Sequence, residues 1–431
     1  MWPCRVEEKM TLKEVDGQTV EEIETKIIAK DGTITRVPGK FQGYETSEEE
    51  PVEQPRRHDL YGFVDHPQLQ QGNPIKEVLW MAHVVGDGVQ VIPATVDFPL
   101  SSVNYLDDAN EEFIELLVPN PDEETRVSNL LILQVTRFSC GGYTLGACVH
   151  HALCDGLGAT LFFNAMAEVA RGVSGVTVDP VWDRSSLLGP REPARTDFPI
   201  DEFLCLDKDF VSELSEKVVR EYYHVKDDWL DRFKAFLHEK SGSNFTTFEA
   251  LGAALWQARV KASNIPRDEK VKYAYAINIR RLVKPPLPAG YWGNGCVPMY
   301  VSDHRRMNLI DNRPIWETAE LIKKSKKNVS DEYVHSFIDF QELNYEKGIN
   351  AGKWVSAFTD WRHLGHSTVD FGWGGPVTVI PLSRNLLGSV EPCFFLPYSE
   401  ASQGTKDGFK VLLYLRANAV VAFRGEMEKS L

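Results

Sequence analysis

Two adjacent histidines and an aspartate carry the clearest chemical signal in the sequence. They lie in the segment His150-His151-Ala152-Leu153-Cys154-Asp155-Gly156. A histidine titrates near neutral pH, so His151 can remove the proton from an alcohol or amine that attacks a carbonyl carbon. Asp155 either orients the imidazole ring or, if it points away, holds the turn in shape. The residue types therefore suit a general base at His151, although the spacing alone is a weak signal.

Two other interpretations of this segment stay open. A His–Asp pair at this spacing also arises by chance on a surface or at a helix cap. A metal site would need a third ligand, and only His363 and His366 form a second closely spaced pair among the remaining histidines. The sequence therefore predicts no metal centre, and catalysis at His151 depends on how the fold presents the ring.

The neighbouring segments predict the elements that position this pair. Residues 130–138 are rich in β-forming residues, residues 139–142 suit a tight turn, and residues 143–149 return as a second strand. Apolar residues at helical spacing follow over 157–169, and Gly172 stands where a C-cap glycine is expected. The histidines would thus follow a hairpin and precede a helix, which is a rigid setting for a site.

A second motif, Asp370-Phe371-Gly372-Trp373-Gly374, is more architectural than chemical. Its glycines allow the backbone to turn sharply, and we expect the turn to bury both aromatic rings. The combination is rare, which makes it useful for recognising related proteins.

Composition limits the classes of function. The chain has 431 residues, 43% of them hydrophobic, which suits a large core in about two or three domains. Its formal charge of -15 argues against nucleic-acid and anionic-membrane partners. Scattered cysteines without Cys-x-x-Cys spacing argue against a disulfide framework and a zinc site. No apolar signal core or membrane-spanning run is seen, so we expect a cytoplasmic protein.

Strands alternate with helices from about residue 77 onward, which predicts an α/β fold. The stretch over 180–209 is rich in Pro, Arg and Asp and indicates a connection between two lobes. Thr246 and Glu249 have the spacing of a capping box at the start of a helix. Further helices are expected at 209–223, 226–239 and 314–328, and strands at 271–279, 354–359, 377–380 and 409–415.

Together the two motifs resemble those of the plant BAHD acyltransferase family. Segments between them agree, namely Thr246–Leu251 with Trp256 and Arg259, Asn278–Arg280, Pro285–Pro288 and Gly290–Asn294. Residues 133–142 resemble the subgroup of taxane, benzyl-alcohol, spermidine and fatty-alcohol acyltransferases. The resemblance runs from about residue 87 to the end of the chain.

The resemblance implies an α/β fold of two similar chloramphenicol-acetyltransferase-like lobes, with mixed sheets and a substrate channel between them. It implies a monomer that uses acyl-CoA as co-substrate, without a further cofactor, and a small-molecule alcohol or amine as acceptor. His151 would be the base for direct attack of the acceptor on the thioester, with no covalent acyl-enzyme.

The resemblance also assigns roles to residues outside the first motif. Asp155 would serve structure through an arginine; Arg280 is the best candidate, although Asp370 is an equally open partner for it. Thr359 and Trp361 match a segment on the acceptor side of the channel, with packing at a strand end as the alternative. The residues with an expected structural role are Arg280, Asp370, Gly372, Trp373 and Gly374.

The acceptor is expected to be an apolar alcohol, such as a terpenoid, benzyl or long-chain alcohol. Relatives that use shikimate or quinate carry an arginine for the acid's carboxylate. Ungapped counting from Thr359 places Glu346 at that position, whereas a one-residue gap would bring the adjacent Lys347 there. An acidic acceptor is therefore less expected.

The expected domains are an atypical polar segment at 1–76, an incomplete N-terminal lobe at 77–195, a crossover at 196–225 and a C-terminal lobe at 226–431. Short alternating stretches at 25–29 and 33–37 predict strands around an Asp31-Gly32 turn, in a segment otherwise typical of a solvated lead-in. Two functions follow. The first is an acyl-CoA-dependent O- or N-acyltransferase of plant specialised metabolism; the alternative is a catalytically silent relative that binds a partner or acyl chain.

Overall fold

The computed structural model describes residues 90–107, 111–121, 125, 129–207, 218–303, 313–382, 386–387, 389, 391–399 and 407–430, with the backbone of three strands between residues 5 and 40. The expectations for the Asp31-Gly32 turn and for residues 209–217 lie outside the described residues. Two compact units divide the chain, and the boundary before the histidine pair falls between Val149 and His150. The predicted domain limits at residues 76, 195 and 225 stay predictions.

The strands are β1 (Arg5–Val15), β2 (Gln18–Ile28), β3 (Ile34–Lys40), β4 (Gln90–Val96), β5 (Leu131–Phe138), β6 (Tyr143–Val149), β7 (Cys205–Leu206), β8 (Val218–Val225), β9 (Val271–Asn278), β10 (Cys296–Asp303), β11 (Ile349–Asn350), β12 (Val355–Asp360), β13 (Cys393–Leu396) and β14 (Phe409–Arg416). The helices are α1 (Glu111–Glu115), α2 (Gly156–Ala170), α3 (Ser185–Leu188), α4 (Asp227–Ser241), α5 (Thr247–Ala262), α6 (Ile315–Ser325), α7 (Asp331–Asn344) and α8 (Val420–Ser430). No helix in the described part of the chain is long and apolar enough to cross a membrane.

The first unit contains two three-stranded sheets. One has the order β1-β2-β3 and is antiparallel, while the other has the order β4-β5-β6. In the second sheet β4 runs parallel to β5, and β5 pairs antiparallel with β6. The predicted hairpin at 130–149 is confirmed, with Gly141 in the left-handed region of its turn at a φ of 85°.

The second unit is built on a six-stranded sheet of order β10-β9-β12-β13-β14-β8. β12 runs parallel to both β9 and β13, whereas the other pairs are antiparallel, so the sheet is mixed. Helix α5 is buried along its whole middle, from Glu249 to Val260. Its capping box is confirmed: the Glu249 amide donates to Thr246 Oγ1 at 3.3 Å, and the Thr246 amide donates to Glu249 Oε2 at 2.8 Å.

The α/β class with mixed sheets is confirmed, as are the helices at 226–239 and 314–328 and the strands at 271–279, 354–359 and 409–415. Two expectations are wrong. The helix at 209–223 is replaced over its described part by β8, whose valines and tyrosines suit pairing with β14. Residues 377–380 form no strand, since Pro376 and Pro381 flank them and cannot donate to a ladder.

Candidate active site

His150 and His151 lie in a turn whose backbone amides and carbonyls form hydrogen bonds within the turn and with Asn294. The Leu153 amide donates to the His150 carbonyl at 2.9 Å, and the Ala152 amide donates to His150 Nδ1 at 3.2 Å. Asn294 donates from Nδ2 to the carbonyls of His151 and Ala152, at 2.8 and 3.4 Å. The side chain of His151 is exposed. A fixed backbone therefore presents an accessible imidazole.

Asp155 ends this turn and begins the next helix. It is 6% exposed, and its Oδ1 caps α2 by accepting from the Gly158 amide at 2.8 Å. Arg280 donates to both carboxylate oxygens, each at 2.8 Å, and the Gly295 amide donates to Oδ2 at 2.9 Å. Such a bidentate arginine–carboxylate contact is both strong and geometrically specific. Asp155 thus ties the His151 turn to α2 and to the segment after β9.

The environment shifts the pKa values of both acid–base groups downward. Burial alone would raise the pKa of Asp155, but the hydrogen bonds and charge of Arg280 lower it below the ordinary value, and the carboxyl stays ionised. Desolvation by the surrounding protein disfavours the charged imidazolium of His151 and lowers its pKa, and the nearby Asp155 charge opposes this shift. At neutral pH His151 is therefore the neutral imidazole that a general base requires.

The sequence left Asp155 and Asp370 open as partners of Arg280, and in the structure Arg280 pairs with Asp155. Asp370 instead accepts from the amides of Gly372 and Gly374 through Oδ1, at 2.7 and 2.8 Å. These glycines have φ values of 105° and 95°, a conformation that strains other residues. The expectation of two buried rings is wrong for Trp373, which is 80% exposed.

The segment from Leu364 to Gly374, here called the strap, follows one side of α2. Thr160 Oγ1 lies 3.1 Å from the Leu364 carbonyl and 2.8 Å from His366 Nδ1. Further along the helix, Asn164 Nδ2 donates to Thr368 Oγ1 at 2.9 Å. The second motif therefore lies at the end of a strap that is bonded to the helix capped by Asp155.

Thr359 and Trp361, predicted on the acceptor side, lie at the end of β12. Both are partly buried, and Thr359 pairs in register with Phe394 of β13. The Trp361 ring packs edge-on against Phe394 at 5.7 Å between centroids, and it also lies 5.2 Å from the ring of His366 in the strap. This packing places the partly buried Trp361 against the core, and its contact with an acceptor stays a prediction.

The turn also has neighbours that sequence reasoning did not single out individually. Asn294 and Trp292 lay within a recognised segment but had no assigned role, and Arg184 had no signal beyond a run of polar residues. Their contacts are hydrogen bonds to backbone carbonyls and the stacking of Arg184 on the Trp292 ring. Contacts of this kind leave no periodic pattern in the sequence.

A glycine in the first turn of α2 allows close packing against the loop between β9 and β10. A Cβ at Gly158 would lie 2.0 Å from the Trp292 carbonyl oxygen and 2.8 Å from the Cβ of Cys154. We expect Gly158→Ala to lower the free energy of unfolding by about 1–3 kcal/mol through overpacking, measured by urea denaturation. Gly425→Ala in α8 is the matched control, because a Cβ there meets nothing within 4 Å. Equal effects of the two substitutions would contradict this packing account.

Among the described residues, no group of three His, Cys, Asp or Glu side chains could hold a metal ion. The buried thiol beside the site is also poorly suited to nucleophilic chemistry. Burial and the Asp155 charge raise the pKa of Cys154 to about 12, so it stays a thiol at neutral pH. Cys154 is therefore a poor candidate nucleophile, whereas His151 in the same turn is exposed.

Comparison with known proteins identifies the family. A family model described as the Transferase family matches residues 84–430. Taxadien-5-alpha-ol O-acetyltransferase of Taxus cuspidata is 32% identical over 349 residues, which cover 80% of this chain and 76% of that protein. Spermidine coumaroyl-CoA acyltransferase of Arabidopsis thaliana is 31% identical over 364 residues, again 80% of this chain and 76% of that protein.

Solved structures share the fold at lower identity. Vinorine synthase has a TM-score of 0.56 at 19% identity, over 80% of this chain and 77% of that chain. The F. graminearum TRI101 structure complexed with coenzyme A and deoxynivalenol has a TM-score of 0.64 at 15% identity, over 79% of this chain and 81% of that chain. The chain belongs to the Transferase family of BAHD acyltransferases, as its two motifs predicted. It is an acyltransferase that transfers groups other than aminoacyl groups.

Proposed function

We propose that this protein transfers an acyl group from an acyl-CoA to the hydroxyl or amine of a small, largely apolar metabolite, with His151 as the general base. The observation that carries the proposal is the exposed imidazole of His151 on a turn fixed by Asn294, Asp155 and Arg280. A base must be both accessible and held in place to act on a bound acceptor.

The chemistry balances with one histidine. His151 takes the proton of the acceptor O–H or N–H while the acceptor oxygen or nitrogen forms a bond to the thioester carbonyl carbon. The tetrahedral intermediate then breaks its C–S bond, and the departing thiolate of coenzyme A receives that proton from the imidazolium. The ester or amide product and free coenzyme A leave, and the neutral imidazole is regenerated.

Two features support an apolar acceptor over an acidic one. Glu346 is exposed on the helical turn Tyr345–Lys347, at the position where the resemblance expects an arginine for an acidic acceptor, and a negative charge there would repel a carboxylate. Lys347 is exposed as well, and its ammonium donates to Asn344 Oδ1 at 2.9 Å. The second feature is therefore that this adjacent cation already has a side-chain partner. Relatives named for taxane, fatty-alcohol and spermidine substrates supply the range of acceptors to test.

The test is release of free thiol from acyl-CoA in the presence of the purified protein. Acetyl-, benzoyl- and hydroxycinnamoyl-CoA are each offered with a taxane alcohol, a benzyl alcohol, a long-chain alcohol or spermidine, and with shikimate as the acidic comparison. Acceptor-dependent thiol release, with the ester or amide identified by mass spectrometry, supports the transferase. Binding of acyl-CoA without turnover of any acceptor favours the catalytically silent alternative.

The pH dependence of the reaction follows from the lowered pKa of His151. Protonated imidazole cannot accept a proton, so activity is lost as pH falls through the pKa of this residue. Since that pKa lies below the ordinary 6.5, we expect the acid limb of kcat/KM to have its midpoint below pH 6.5. A profile measured at subsaturating acceptor reports this value for the enzyme before acceptor binds. A midpoint well above pH 6.5 would contradict the assignment.

A further inference from the structure

A second arginine lies beside the His151 turn, and its environment differs from that of Arg280. Arg184 is 6% exposed, and its Nη1 donates to the Leu153 carbonyl. Its Nε and Nη2 are buried without a hydrogen-bond partner among the described residues. Arg280, in contrast, has both carboxylate oxygens of Asp155. Burying a cation in this way is costly, so the position calls for an explanation beyond packing.

The aromatic face of Trp292 offsets part of that cost. The guanidinium carbon of Arg184 lies 3.7 Å from the centre of the Trp292 ring, within the range of a cation–π interaction. The same indole stacks on Phe162 of α2 at 6.2 Å between centroids, and it meets Trp182 edge-on at 5.6 Å. Arg184 is therefore held between a ring packed on α2 and a carbonyl of the catalytic turn.

The hydrogen bonds of the turn show what Arg184 contributes. The carbonyls of His151 and Ala152 accept from Asn294, and the next carbonyl, that of Leu153, accepts from Arg184. Asp155 follows two residues later and is fixed by Arg280. Without Arg184, the Leu153 peptide would lose the side-chain anchor that lies between the base and the helix cap.

We propose that Arg184, stacked on Trp292, is a positioning residue for acyl transfer, which fixes the Leu153 carbonyl and thereby the orientation of the His151 ring. The inference rests on the proposed function of His151. A planar guanidinium suits this place because it donates in its plane while its face lies on an indole, a combination that lysine does not offer.

Arg184→Gln and Arg184→Lys test the proposal against a matched control, Arg220→Gln. Arg220 of β8 is partly buried and, like Arg184, lies over a ring (Tyr222, at 5.1 Å) and has two nitrogens without partners among the described residues. We expect Arg184→Gln to lower kcat by about tenfold to a hundredfold, as misplaced catalytic groups do, with an almost unchanged KM for acyl-CoA. Arg184→Lys should recover part of the rate, and Arg220→Gln should keep wild-type kcat per folded molecule.

A second measurement reads the His151 ring without any turnover. Spectra of the imidazole nitrogens are recorded on protein labelled with ¹⁵N-histidine, and the His151 signals are assigned by their loss in His151→Ala. In Arg184→Gln these signals should shift or broaden, because the ring samples several orientations. In Arg220→Gln they should match the wild type.

The outcomes separate this inference from the proposed function. If Arg184→Gln keeps wild-type kcat and unchanged His151 signals, the positioning role is overturned, whatever its thermal stability. If the wild type transfers no acyl group, the proposed function fails, and the ring spectra alone decide for or against Arg184. Should Arg184→Gln fail to fold, Arg184→Lys decides: a lowered kcat at unchanged KM supports the role, and a wild-type kcat overturns it.

Discussion

His151→Ala lowers kcat by about 10² to 10⁴-fold, the contribution that a positioned general base makes to proton transfer. The fold should survive, because the side chain of His151 is exposed while the anchors of its turn are backbone carbonyls and Asp155. The KM for acyl-CoA should change little, since the imidazole acts on the acceptor's proton. Initial rates of thiol release and a thermal unfolding curve measure both expectations.

His363→Ala is the control for this experiment. His363 is exposed like His151, but it lies between β12 and the strap, and its loss should leave the rate unchanged. A His151→Ala enzyme that keeps its rate would refute the mechanism and would direct attention to His150. A wild type and a His151→Ala variant that both bind acyl-CoA without turnover would match the silent alternative.

Local features of this fold could be predicted because they depend on residues close in sequence. The hairpin at 130–149 rests on β-forming residues flanking a turn, and the capping box on Thr246 and Glu249, three residues apart. The position of His151 at the end of that hairpin follows from the same local pattern. Its environment does not, since Asn294, which holds the turn, is 143 residues away in sequence.

The failed predictions have different physical causes. Residues 218–223 carry side chains that suit a helix or a strand, and pairing with β14 selects the strand. Trp373 is exposed even though its type usually favours burial, because Asp370 fixes the loop through two glycine amides and not through the rings. The family resemblance identified both motifs, but it did not predict which contacts hold them.

The ion pair of Asp155 and Arg280 should have the largest effect on stability. Its side chains are only 7% and 13% exposed, and removal of either partner leaves the other charge buried. We expect Asp155→Ala to lower the free energy of unfolding by about 3–5 kcal/mol, the usual result of breaking a buried pair, and loss of the α2 cap adds to this. Denaturant unfolding of Asp155→Ala, Arg280→Ala and the double variant measures the coupling.

The double variant should lose much less stability than the sum of the two single variants, because the second substitution removes a charge that is already unpaired. Asp228→Ala provides the surface control: its pair with Arg232 is 65% and 74% exposed and should cost less than about 1 kcal/mol. The buried pair would not hold the turn if the stability losses of the two single variants simply added in the double variant. The same would follow if either single loss were no larger than that of Asp228→Ala.

The pH dependence of stability gives the same pair an independent check. Arg280 keeps the pKa of Asp155 below its ordinary 3.8 against the opposing effect of burial. A carboxylate with a lowered pKa stabilises the folded state above its unfolded pKa, and that contribution is lost as pH falls through the folded value. Wild-type stability should therefore fall below about pH 4 more steeply than that of Asp155→Asn, which has no such proton to take up. Since the same carboxylate fixes the turn of His151, a variant that lost this pH dependence but kept full activity would separate the stability of the turn from its chemistry.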